Sequence, residues 1–60
     1  MSNYDDIANN SAFVAGLDAA RTLRREGFGW GPDNGHKVCP RGLDQETEAA
    51  WYRGWRSAFE

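Results

Sequence analysis

The chain has 60 residues, a net charge of −2 and a single cysteine. That length allows one small domain, which buries only about 60% of its unfolded surface. One cysteine excludes an internal disulfide, and a net negative charge excludes a global electrostatic drive toward nucleic acid.

The first segment, "MSNYDDIANN", lacks the basic and apolar regions of a signal peptide. No apolar run approaches the roughly 20 residues that cross a bilayer. The expectation is a cytoplasmic protein with no membrane association, to which an unpaired thiol is suited.

A helix is predicted over about residues 5–26. Ile7, Val14, Leu17 and Arg21 recur at helical spacing, and Phe13, Gly16, Leu17, Ala20 and Leu23 do so on an overlapping arc. Asp5 and Asp6 suit its N-terminus, and Arg24 and Arg25 its C-terminus. Gly27 stands where a left-handed residue would end it. "ANNS" at Ala8–Ser11 is a poor helix interior, which leaves a start at Asn10 or Ser11 open.

Residues 27–43 read as a loop, holding five of the seven glycines and both prolines. Loops of this length are usually functional or mobile. Phe28 and Trp30 either fold back onto the helices or stand exposed as contact aromatics. "GFGWGPDNG" lacks the Gly-Lys-Ser/Thr ending of a phosphate loop, so its glycines read as turn formers.

A second helix is predicted over 45–59. Asp44 is a good N-cap, and Glu46 and Glu48 fall in the positively polarised first turn. Trp51, Trp55 and Ala58 share one face, beside Gly54 and Phe59. The expected fold is all-α: a single domain, 1–60, with two helices forming a hairpin across a long Gly/Pro-rich loop. Their crossing would use small residues, Gly16 or Ala20 against Gly54 or Ala58.

Catalysis needs a nucleophile, a base and a group that orients the base. His36 and Cys39 are three apart, with no flanking pattern to support them. They read as a solvated loop residue and a small buried hydrophobe, so no catalytic residue is expected. The same pair gives only two of the four ligands of a structural zinc site; Asp33, Asp44 or a second chain would have to complete it, and no metal or other cofactor is expected.

Charge is unevenly distributed. Residues 1–18 carry three acids and no base, whereas 19–43 carry five cations against Glu26 and Asp33. Arg21, Arg24, Arg25, Lys37, Arg41, Arg53 and Arg56 are the candidate contacts for nucleic acid or another partner. Phe28 and Trp30 are the candidate aromatic contacts, since looped RNA is bound by charge on phosphates and rings on bases. The bland alternative pairs these arginines with Asp18, Glu26 or Glu48.

Cys39-Pro40, followed about ten residues later by Trp51-x-x-Gly54-Trp55-Arg56-x-Ala58, resembles the small bacterial ribosome modulation factor family. That grouping extends to plasmid- and phage-borne relatives, some described as modifying quinolone antibiotics. The likeness covers Cys39 to Ala58, with Ala15-Gly16 similar to the family's small-residue pattern. It implies two helices, and it implies docking on the small ribosomal subunit with effects on translation under stress. Cys39, Pro40, Trp51, Gly54, Trp55 and Ala58 would then set the packing, with Arg56 as a contact. The chain departs from the family in Arg41 after Cys-Pro, in its long link and in its acidity.

The leading expectation is therefore a non-enzymatic modulator that binds the ribosome or structured RNA. One alternative is a phage or mobile-element modulator that binds a host protein, and another is a quinolone-modifying enzyme. A homodimer would ease the stability problem of so short a chain.

Overall fold

A computed structural model describes the backbone of residues 3–60 and the side chains from Asn9 onward. Helix α1 spans Asn3–Arg25, a 3-10 turn spans Pro32–Lys37, and helix α2 spans Gln45–Ser57. The fold is all-α, with no strand among the described residues. At about 1.5 Å per residue, α1 alone accounts for most of the 41 Å long axis.

The start of α2 and the end of α1 are bounded by the residues suited to bound them. Asp44 is extended, with φ −73° and ψ 169°, and its carboxylate accepts the Thr47 N–H at 3.0 Å. Gly27 has φ +89°. Around it the Phe28 N–H donates to the Leu23 carbonyl at 3.0 Å, and the Gly27 N–H to the Arg24 carbonyl at 3.1 Å. Those paired bonds are the Schellman closure, which needs the left-handed region that glycine enters freely. At the other end, "ANNS" lies inside α1 rather than before it. Tertiary contact overrides weak propensity there: Ala12 is buried, and Asn9 Oδ1 lies 3.5 Å from Thr47 Oγ1 of α2. Asp5, Asp6 and Ile7 have side chains outside the described residues.

Two glycines let the helices touch backbone to backbone. A Cβ on Gly16 would overlap the Trp51 carbonyl oxygen and lie 3.0 Å from the Trp55 nitrogen. A Cβ on Gly54 would overlap the Phe13 carbonyl oxygen and lie 3.0 Å from the Leu17 nitrogen. Each glycine thus sits in the notch between residues four apart on the other helix. Around this crossing Ala12, Ala20, Ala50, Trp51 and Trp55 form the core. Trp51 and Trp55 stack with ring centroids 5.6 Å apart and planes 14° apart. Leu23, Trp30, Val38, Leu43, Ala58 and Phe59 pack on its edges.

The buried arc of α1 is therefore the one through Gly16, Ala20 and Leu23. Val14, expected on the apolar stripe, is 45% exposed, and Arg21 is exposed with it. The close approach permitted by Gly16 narrows the buried stripe and leaves the flanking arc in water.

The hairpin expectation is also corrected. In an antiparallel pair Thr47 would lie near Arg24, but Thr47 meets Asn9, and Arg24 reaches the Ala58 carbonyl. Both helices run in the same direction. A true helical hairpin uses a link of a few residues. Here residues 26–44 are long enough to carry the chain back to the level where α2 begins. On the way the loop seats on α2: Gly35 is buried, with space for a Cβ closed by the Trp55 and Tyr52 rings at 3.0 and 3.1 Å. The Gly31 carbonyl accepts the Trp55 indole N–H at 3.2 Å and the Asn34 N–H at 3.0 Å.

Candidate nucleic-acid interface

Because the helices are parallel, their C-terminal turns share one end of the molecule. Arg21, Arg24 and Arg25 come from α1 and Arg56 from the last turn of α2, while Arg53 stands a turn earlier, level with the middle of α1; all five are exposed. Glu26 and Glu60 are the carboxylates that follow those two turns. The opposite end begins with Asp44, Glu46 and Glu48 of α2. The net charge of −2 thus conceals an excess of cations toward one end, tempered by the exposed Asp18 one turn before Arg21.

A structural cause contributes to this pattern. Two parallel helices bring the negative ends of both dipoles together, and cations in the last turns offset that. Arg24 does so directly. Its guanidinium donates to the Ala58 carbonyl, closing α2, and sits 5.3 Å from the centroid of the Phe59 ring. Arg24 is thereby engaged within the fold, whereas Arg21, Arg25, Arg53 and Arg56 project from it.

The loop aromatics divide between the two alternatives. Phe28, directly after the α1 cap, is 47% exposed, while Trp30 is half-buried on the edge of the core. Their rings meet edge to face at 5.4 Å, and Lys37 Nζ lies 5.7 Å from the Trp30 ring centroid. Lys37 is brought to the aromatic pair, and Arg41 stands exposed in the later turn before Gly42.

His36 and Cys39 are each occupied elsewhere. His36 donates from Nδ1 to the Asp33 carbonyl at 3.0 Å, and the Cys39 thiol lies 3.6 Å from the Pro40 carbonyl. Burial pushes the Cys39 thiol up; a hydrogen bond with Tyr52 acts against that, and the Glu48 carboxylate adds to the rise. A thiol held protonated is a poor nucleophile. Burial likewise raises the Tyr52 phenol, with Cys39 adding to it. Among the described residues no group of three His, Cys, Asp or Glu side chains converges as a metal site would require. No helix is long and apolar enough to cross a membrane, again among the described residues.

Tyr52 is the residue that sequence reasoning passed over. It closes on Gly35 and Cys39, stands edge-on to Trp51 at 5.6 Å, and lines an open groove of about 560 Å³. Gln45, Glu48, Ala49, Arg53 and Arg56 complete that groove on the face of α2 turned from α1. The signal was present as a period-four stripe through Glu48, Tyr52 and Arg56, masked by the adjacent tryptophans.

Comparison with protein-family models, with curated proteins and with solved structures finds no match to this chain.

Proposed function

We propose that this is a small non-enzymatic binding protein of the ribosome-modulation-factor type, engaging the ribosome or structured RNA through its basic end. One observation carries the reading: parallel packing of α1 and α2 brings Arg56 of the last α2 turn toward Arg21 and Arg25, with the exposed Phe28 just beyond the end of α1. Clustered guanidinium groups meet phosphates, and an exposed ring offers a stacking surface for an unpaired base. Local charge, not net charge, governs such contact, because the Debye length at physiological salt is only about 8 Å. Asp44 lies about 18 Å of helix rise from Arg56, beyond that distance, while Glu48 and Asp18 stand nearer and temper the cluster. The residues shared with the family motif, Trp51, Gly54, Trp55 and Ala58, support the packing, and Arg56, exposed beside them, is left for contact.

Cosedimentation with ribosomes across a salt series tests this. The protein should travel with the ribosomal fraction at low salt and leave it as salt rises. Reversing Arg21 and Arg25 to Glu should reduce the slope of log affinity on log salt by about 1.5 without lowering the melting temperature. Absence from ribosomal fractions at low salt would sink the reading.

A second reading, a modulator that binds a host protein, rests on Phe28, an apolar ring left 47% exposed beside cations. It predicts that Phe28→Ala abolishes capture of a protein partner that survives ribonuclease treatment. For the quinolone-modifying enzyme, the described residues offer His36 and Cys39, which are engaged with the Asp33 and Pro40 carbonyls rather than with each other.

A further inference from the structure

We infer that the outer face of α2 is a self-association surface whose occupant is the same face of a second copy, packed antiparallel across a two-fold axis. This goes beyond the RNA reading and does not depend on it; it draws on the same Arg53 and Arg56, so a dimer withdraws those two side chains from RNA. The groove is lined by Gln45, Glu48, Ala49, Tyr52, Arg53 and Arg56. Its charge is divided along its length, with Glu48 toward the start of α2 and Arg53 and Arg56 toward its end. A two-fold axis between residues 50 and 51 places Glu48 opposite the second copy's Arg53, Ala49 opposite its Tyr52, and Gln45 opposite its Arg56. Opposite charges meet, and the smallest side chain of the groove meets the largest. A two-fold contact demands such self-complementarity, since each residue must suit its image.

A second observation supports an apolar occupant at the centre. Tyr52 is held in place by Gly35 and Trp51, and it stays half-buried rather than free in solvent. A ring fixed from behind presents contact area with little entropy left to lose on binding. The area sets the strength. A 13-residue helix is about 20 Å long, and one face about 10 Å wide buries less than the roughly 1,200 Å² of a standard interface. The dimer is therefore reversible and concentration-dependent.

Sedimentation equilibrium from about 1 µM to about 1 mM tests this directly. The weight-average mass should rise from 6.7 kDa toward twice that value, and the rise should weaken with salt. Glu48→Arg, and separately Arg53→Glu, should weaken association about tenfold, because each creates two symmetry-related like-charge contacts. Combining Glu48→Arg with Arg53→Glu should restore it to within about twofold, since the exchanged charges again face each other. Amide shifts on dilution of the unmodified protein should cluster at Glu48, Ala49, Tyr52 and Arg53, which tests the surface without any variant. A constant monomer mass up to about 1 mM would overturn the inference. So would a double swap as weak as its singles, or dilution shifts confined to α1.

Discussion

At the residue scale, a glycine between two tryptophans is a local cost that the crossing repays. In isolation Gly54→Ala should favour the helix by about 1 kcal/mol. In the folded chain its new Cβ would press on the Phe13 carbonyl and the Leu17 nitrogen, which are backbone atoms and cannot rotate aside. The expected net effect is a loss of about 1–3 kcal/mol, with Gly16→Ala behaving alike. Gly29 has nothing within 4 Å of its Cβ position, and Gly29→Ala should change stability little. Urea denaturation of the three variants checks the set. Trp55 shows the other extreme, with no exposed surface and its indole N–H bound to Gly31. Trp55→Ala should cost about 3–5 kcal/mol, much of what a domain of this size possesses. Its far-ultraviolet circular dichroism should show largely unfolded protein at room temperature.

At the element scale, the start of α2 depends on one charged cap. The hydrogen bond from Thr47 holds the Asp44 carboxyl below its ordinary value. A depressed carboxylate stabilises the fold above its unfolded pKa of about 3.9, and that stabilisation is lost as pH falls through the folded value. Melting temperature should therefore drop on acidification below about pH 4. Asp44→Asn keeps an uncharged cap and should flatten this part of the profile, while Asp44→Ala should lower the melting temperature at neutral pH as well. Thermal melts across acidic pH separate the two. Much of this was legible in the sequence, because Asp44, Gly27 and the tryptophan spacing act over three or four residues. Val14 was misplaced because two overlapping arcs of α1 were equally apolar on paper. Only contact with Gly54 selects the narrower one.

At the scale of the whole molecule, the direction of packing decides what the surface carries. Parallel helices place α1's arginines beside those of α2, and an antiparallel pair would have placed them beside Asp44 and Glu46. A spin label at residue 57, with Cys39→Ser to remove the native thiol, reads this directly. It should broaden the amides of Leu23, Arg24 and Arg25 and spare Asn9 and Asn10. The reverse pattern would restore the hairpin and dissolve the basic end. The RNA reading and the self-association surface differ in their dependence here. The first needs both helix ends together, whereas the second needs only the outer face of α2.

Two helices, the Asp44 cap, the Gly27 closure, the tryptophan face and the glycines at the crossing are written in the residue order. All follow from periodicity and from hydrogen bonds between near neighbours, which hold in any topology. The shared direction of the helices, the closure of α2 by Arg24 and the fixing of Tyr52 behind an open groove emerge only from packing in three dimensions. Residues 26–44 are long enough to permit either direction. The choice rests on how Gly16 and Gly54 interlock and how the Gly31–Gly35 turn seats on Trp55, contacts between residues far apart in the chain.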